Sequence, residues 1–383
     1  MKLVYLIHSL YNPGGMERVL LNKVRWLAGT GRYEILVVTT DQHGRPPFYP
    51  FPAAVRMVDL DVNYTDDNGL PAWQKITSYF RKRRMHRKRL EALLQAECAD
   101  IVLSLFPSES SFLPEIQDGS KKILELHYGR FFRLQYGRSG LLGLADRFRT
   151  RTDRRLASRF DRFVVLTEED RGDWGALPNL LAIPNAAMPL SEAPSDVCSH
   201  RVIAVGRLDY QKSFDRLLEV WARFMLMLRQ HPDMPQDWHL DIFGQGPWRK
   251  ELIQMTETLQ IADVVRIHAP VEDIGAEYAK SAMLVMTSHY EGLPMVMLEA
   301  MASGLPAVSF DFKCGPRDLI EQGVNGLLVP DGDLDGLAEA ILRMASDLPF
   351  RQSCGKAALL TAARYNEQYI MQQWEDCFRS ILS

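Results

Sequence analysis

Short unbroken apolar runs recur along the chain, with helical stretches between most of them. The first, Lys2 to Ile7, is brief and apolar throughout, the pattern of a strand buried on both faces. Tyr33 to Thr39, Val55 to Leu60, Ile101 to Leu105, Ile123 to Leu126 and Phe163 to Leu166 repeat it. A second series follows at Arg201 to Val205, Leu240 to Phe243, Val264 to Ile267, Met283 to Met286, Ala307 to Phe310 and Gly326 to Val329. Met16 to Leu27 and a stretch from Phe214 read as helices, and Gln368 to Leu382 as an amphipathic one. Strands alternating with helices predict an α/β protein with doubly wound parallel sheets. Ligands of such sheets bind beyond the carboxyl ends of the strands. His8, Ser104, His127, Thr167 and Glu168 fall at such ends.

A chain of 383 residues exceeds one ordinary core and predicts two domains. The Pro-rich, small-residue stretch from Ile183 to about Ser199 is the expected linker. It divides the chain into a first domain of 1–186, a second of 187–365 and a terminal helix of 366–383.

Composition narrows the class without naming a chemistry. Hydrophobic residues make up 46% and charged residues 24%, the balance of a globular protein in water. Cys98, Cys198, Cys314, Cys354 and Cys377 form no C-x-x-C pair, so neither a zinc site nor a disulfide framework is indicated. A reducing cytoplasm is the simplest setting. No apolar run reaches the roughly 18 residues of a membrane span, and His8 interrupts the first strand before any signal-peptide cleavage site.

The net charge of -3 conceals a split, about +7 up to Ala186 and about -10 beyond it. One half is thus suited to an anionic partner. The densest cationic run is Arg81-Lys82-Arg83-Arg84-Met85-His86-Arg87-Lys88-Arg89, continuous with a helical pattern. Arg81, Lys82, Arg83, Arg84, Arg87 and Lys88 are candidates for an anionic acceptor or membrane, set against the plainer reading of a solvated helix face. No nucleic-acid motif accompanies them.

The chemistry concentrates in Ser288 to Gly304. Glu291 and Gly292-Leu293-Pro294 precede an apolar helix, Met295 to Ala302, stopped by Gly304-Leu305-Pro306. Pro294 suits a helix start, and the first-turn amides, from Met295 and Val296 on, point at whatever lies before it, where the helix dipole favours an anion. Glu299 stands among apolar neighbours and needs either ligand hydroxyls or a buried ion pair. Arg207 and Lys212, on the loop that opens at Gly206 after a strand, could neutralise a diphosphate. Gly14 and Gly15 open the first helix, where amides could face an anion or a plain turn could be all there is. Gly244 and Gly246 follow another strand, but Arg249 stands where a dinucleotide fingerprint needs glycine.

Glu291 and Glu299, eight apart around Gly-Leu-Pro, with the Gly206-Arg207-Leu208…Lys212 loop, resemble the retaining glycosyltransferases of family 4, which have the GT-B fold. The resemblance runs over nearly the whole chain and is strongest from Val205 to Pro330. Gly315-Pro316-Arg317-Asp318-Leu319-Ile320 is similar to a branch that builds bacterial surface polysaccharides and lipid-linked oligosaccharides. It implies two Rossmann-like domains facing across a cleft, with the last helix crossing back onto the first. It implies that Arg207 and Lys212 hold a nucleotide diphosphate, Glu299 the ribose, and Glu291 the donor sugar. Gly206, Gly244, Gly292, Leu293, Met295 and Val296 would line the nucleotide-sugar site. Gly14 and Gly15 would lie opposite, and His127 near donor sugar and acceptor.

The expected reaction is transfer of a hexose or N-acetylhexosamine from a UDP-sugar to a glycan acceptor such as a polyprenyl-diphosphate-linked sugar, at the cytoplasmic face of an anionic membrane. No cofactor or metal is expected: Asp59-Leu60-Asp61 fits the letters of a D-x-D motif but lies in the first domain, the wrong one for the donor. Ser213 departs from the glycine usual after the lysine, and His268-Ala269-Pro270 from a glycine-bearing loop near the base, which loosens the assignment of uracil. An epimerase of the same shape and a non-catalytic nucleotide-sugar-binding subunit are the alternatives.

Overall fold

The computed structural model describes residues 1–12, 14–105, 108–134, 140–187 and 195–383, without the side chains of 72, 141, 142 and 145. Part of the expected linker, 188–194, lies outside them. The chain divides into two compact units. The first comprises Met1–Leu166, Arg171–Ile183 and Met371–Ser383, the second Thr167–Asp170 and Pro184–Ile370.

In chain order the first unit holds β1 (Lys2–Leu6), α1 (Gly15–Gly29), β2 (Glu34–Thr39), β3 (Val55–Asp59), α2 (Ala72–Glu97), β4 (Ile101–Ser104), β5 (Lys121–Glu125), α3 (Gly140–Ala157), β6 (Arg162–Val165), α4 (Glu168–Trp174, its start in the second unit) and β7 (Leu180–Ala182). The strands form one parallel sheet ordered β3-β2-β1-β4-β5-β6-β7. Alternate side chains divide between two cores, as a pleated strand requires. Val4, Leu6, Val38, Val102, Leu124 and Val165 share one core with Leu90 and Leu94 of α2 and Ala157 of α3. Right-handed crossovers from β3 to β4 and from β5 to β6 put α2 and α3 on that same face. Lys23 and Tyr33 lie on the other side, where they meet Trp374 and Phe378 of the terminal helix.

The second unit holds β8 (Arg201–Val205), α5 (Phe214–Leu228), β9 (His239–Phe243), α6 (Arg249–Thr258), β10 (Val265–His268), α7 (Ile274–Ala279), β11 (Met283–Met286), α8 (Met295–Ala302), β12 (Ala307–Asp311), α9 (Pro316–Leu319), β13 (Gly326–Pro330), α10 (Leu334–Ser346) and α11 (Leu348–Ala363). The closing helix, α12 (Glu367–Leu382), starts in it and joins the first unit from Met371. Its parallel sheet runs β10-β9-β8-β11-β12-β13. In each sheet the strand order reverses once, at β1/β4 and at β8/β11. Such a reversal opens a crevice where adjacent loops leave in opposite directions.

The expected strands are all present within one or two residues. The seventh strand of the first sheet, β7, escaped the sequence reading because Leu180-Leu181-Ala182 is too short to stand out as an apolar run. Among the described residues no helix is long and apolar enough to cross a membrane.

Candidate active site

The β8 and β11 loops carry the most concentrated chemistry in the second unit, and they flank its reversal point. Lys212 Nζ lies 2.6 Å from Glu291 Oε1. Gln211 Nε2 donates to the other oxygen of Glu291 at 3.2 Å and to the Tyr290 carbonyl at 3.1 Å. Asp209 Oδ1 accepts from the backbone N–H of Gln211 and Lys212 at 3.1 and 3.4 Å, which curls the β8 loop and turns Lys212 toward Glu291. Arg207 stays largely in solvent, held by Gln211 Oε1 at 2.8 Å and Asp209 at 3.3 Å. A 4.4 Å stack of Tyr210 on His289 also ties these two loops, and the Glu291 N–H donates to the carbonyl of Lys313 on the loop after β12.

Glycine is mandatory where the β8 and β9 loops cross. A Cβ on Gly244 would stand 1.9 Å from the Gly206 carbonyl oxygen, and one on Gly206 would press on the Lys212 side chain. Absence of side chains thus seats the lysine stem directly on backbone.

Helix α8 begins after Pro294, as its missing N–H allows. Met297 and Leu298 donate back to the Pro294 carbonyl. The N–H groups of Met295 and Val296 have no recorded acceptor among the described residues. Met297, Leu298, Ala300 and Met301 are buried, while Met295, Val296, Glu299 and Ala302 form a half-open face. Glu299 therefore shares a face with the side chains of Met295 and Val296, one turn along the helix, and Gly292 and Leu293 close the turn before it, Leu293 buried.

In the first unit, His127 Nε2 lies 3.2 Å from Glu125 Oε1 at the end of β5. Lys23 Nζ approaches the two oxygens of Glu125 at 2.6 and 2.7 Å and sits 3.6 Å above the Trp374 ring. Burial pushes the Glu125 carboxyl up, but Lys23 and His127 outweigh it and hold it at about 2. At the end of β4, Ser104 Oγ donates to buried Glu109 at 2.6 Å, and burial raises that carboxyl above its ordinary value. Gly14 precedes α1 with its carbonyl accepting from Arg18, and Gly15 faces open space.

Residues 195–360 match the family model described as Glycosyl transferases group 1. The exopolysaccharide phosphotransferase SCO2592 of Streptomyces coelicolor is 34% identical over 234 residues, 59% of this chain and 24% of that protein. The amylovoran biosynthesis glycosyltransferase AmsD of Erwinia amylovora is 31% identical over 56% of this chain and 61% of its own. The chain thus spans about a quarter and about three fifths of those relatives. A GalNAc-alpha-(1->4)-GalNAc-alpha-(1->3)-diNAcBac-PP-undecaprenol alpha-1,4-N-acetyl-D-galactosaminyltransferase of Campylobacter jejuni is 25% identical over 98% of this chain and 97% of its own. Among solved structures, TarM superposes with a TM-score of 0.80 at 16% identity over 98% of each chain. Anabaena HepE in complex with UDP and glucose gives 0.73 at 18% identity, covering 99% of this chain and all of that one. The chain has the GT-B fold, and its residues 195–360 are similar to the group 1 glycosyltransferases.

In this GT-B chain, the expected donor-site residues Gly206, Arg207, Lys212, Gly244, Glu291, Gly292, Leu293, Met295, Val296 and Glu299 all lie on the β8, β9 and β11 loops or on α8. Ser213, where family 4 proteins usually have glycine, adopts the left-handed conformation with φ 49°. Its Oγ donates to Asp215 at 2.8 Å and accepts from Arg216 at 3.0 Å, which fixes a serine in a glycine's geometry. His268 stacks on Phe243 and bonds Asp241, so its ring packs on its own sheet.

The basic run needs a correction. Lys82 is buried, its Nζ 2.8 Å from Asp67 and bonded to the Asn63 carbonyl, so it is not open to an acceptor or a lipid. It lies on the inward stripe of α2 with Ser78 and His86, a consequence of the four-residue spacing. Arg83 donates to Ser111 and Arg87 pairs with Glu115, whereas Arg81, Arg84 and Lys88 are exposed. Sequence reasoning also passed over Gln211, Asp209, Lys23, Glu125 and Glu109. An acid closing the apolar run before His127 was the one available signal.

Proposed function

We propose that this protein transfers a hexose or N-acetylhexosamine from a UDP-sugar to a lipid-linked glycan, with retention at the anomeric carbon, in bacterial polysaccharide assembly. The observation that carries the reading is Lys212 paired with Glu291 across the sheet's reversal point, beside a helix start with two unspent amides. A diphosphate meets Lys212, Arg207 and the Met295 and Val296 amides. As the bond from anomeric carbon to phosphate oxygen breaks, negative charge grows on the departing phosphate. Donors already aimed there stabilise it. Glu299, one turn along the helix, accepts from ribose hydroxyls, and Glu291 from the donor sugar, on which it is exposed once phosphate claims Lys212.

The positive charge comes from the chain's own side chains, so the reaction proceeds without a metal or cofactor. His127, steadied by Glu125, sits at the carboxyl end of its own sheet, where an acceptor hydroxyl is expected. UDP in the HepE complex and the undecaprenol-linked glycan in the Campylobacter relative's name support the choice of donor and acceptor. Such an acceptor places the enzyme at the cytoplasmic face of the membrane.

The test is nucleotide release from UDP-, GDP- and ADP-sugars with and without lipid-linked acceptors, in chelator, with Glu299→Ala as control. Acceptor-dependent UDP release that the variant loses supports the reading. Recovery of an epimerised sugar without acceptor, or of no released nucleotide from any pairing, rejects it.

A further inference from the structure

Helix α2 is much longer than the strands it covers. At 1.5 Å per residue its 26 residues extend about 39 Å, against roughly 17 Å for a five-residue strand. Only its later half, through Leu90 and Leu94, reaches the core. A helix between parallel strands runs antiparallel to them, so its early half stands at the carboxyl edge of the sheet. There its large apolar side chains face solvent: Trp73, Ile76 and Phe80 are 67%, 59% and 61% exposed. They lie on one stripe with Arg84 and Lys88, opposite the buried Ser78, Lys82 and His86.

Helix α3, on the same face and in the same direction, repeats the arrangement. Leu144 and Phe148 are 61% and 69% exposed and share a stripe with Arg147, Arg151 and Arg155. Asp146 is buried and Asp153 is paired with Arg133, so the acids of α3 turn away from that stripe. Helix α2 has no acid before Glu91. Arg81, Arg84, Lys88, Arg147, Arg151 and Arg155 make no ion pair among the described residues.

We infer that these two stripes form one docking surface for an anionic lipid bilayer, with Trp73, Ile76, Phe80, Leu144 and Phe148 entering the interface and the cations meeting lipid phosphates. Charge selects this occupant. Uncompensated cations beside exposed aromatics match the boundary between headgroups and acyl chains. A second copy of the chain would bring the same positive stripes together. The inference extends the membrane-face placement proposed above, and its test needs no turnover, so either can fail without the other.

Trp73 is the one exposed tryptophan of seven, so its emission reports insertion. The full chain should sediment with phosphatidylglycerol-containing vesicles and not with phosphatidylcholine alone, and Trp73 emission should shift to the blue. Trp73→Ala with Phe80→Ala should lower partition at least about tenfold even at high salt. Arg84→Gln with Lys88→Gln and Arg151→Gln should weaken it about tenfold at low salt. All five positions are exposed, and circular dichroism checks that the variants fold. Three results would overturn the inference: no sedimentation of folded protein with anionic vesicles, unchanged partition of the Trp73/Phe80 variant, or a lipid-free dimer that this variant abolishes.

Discussion

Lys23 and Glu125 form a buried ion pair with Nζ 2.6 Å from Oε1, and the same oxygen faces His127. Two charges out of water survive together because each is the other's solvation. Lys23→Met should therefore cost about 3–5 kcal/mol, the usual penalty for orphaning a buried charge. Adding Glu125→Leu should recover much of that, since an apolar pair needs no compensation. Urea midpoints of the two variants check the sign, and a double variant no more stable than Lys23→Met would contradict the pairing.

Lys212→Ala should cut turnover about 100- to 1000-fold, the effect of losing one donor from a charge-stabilising site. The fold should persist with some loss of stability, because the lysine side chain is 13% exposed and its removal takes an ion-pair partner from Glu291, itself 9% exposed. Lys212→Arg should restore part of the rate. Measured kcat values alongside melting temperatures separate the two effects, and a Lys212→Ala enzyme of near-native kcat would remove the lysine from leaving-group chemistry.

Burial pushes the His86 imidazole down to about 4, well below its ordinary value of 6.5, with Asp41 opposing weakly. The unfolded chain then binds more protons than the folded one between those values. The contribution is full above pH 6.5 and is lost as pH falls toward 4, by about 3 kcal/mol across the window. His86→Leu should flatten that slope while losing the 3.2 Å contact with Tyr64 Oη at neutral pH. Denaturation at pH 7 and pH 5 for both proteins reads the difference.

Gly244→Ala should destabilise by about 1–3 kcal/mol, as its methyl would displace the Gly206 carbonyl and with it the stem of Lys212. Donor binding should fall with it. Gly15→Ala meets nothing within 4 Å and should be neutral or slightly stabilising. Thermal melts of the pair test whether the β8 and β9 loops truly cross backbone on backbone.

The strands were legible because parallel strands are buried on both faces and read as plain apolar runs, as in Met283–Met286. The ends of those runs then located Lys212, Glu291 and His127. What stayed hidden depended on rotation and on polar partners. Lys82 looks like its neighbours in sequence, and only the phase of α2 turns it inward toward Asp67. Gln211 and Asp209 act through a loop curl that no periodicity announces. Ser213 broke the expected glycine, yet its backbone kept the glycine's shape.

Strands β8 and β11 pair only at Val202–Met283 and Ile203–Leu284. Beyond that point their loops are stitched by other bonds: Thr287 Oγ1 to the Ser213 carbonyl, Arg216 to the carbonyls of Thr287 and Ser288, His289 N–H to the Gln211 carbonyl. A strand register admits no partial change, since one slipped residue inverts every side chain. A seam made largely of side chains can be altered one stitch at a time. New donor preferences could accumulate there while the sheet beneath keeps its alignment, which makes this seam the place to look for divergence among relatives of the same fold.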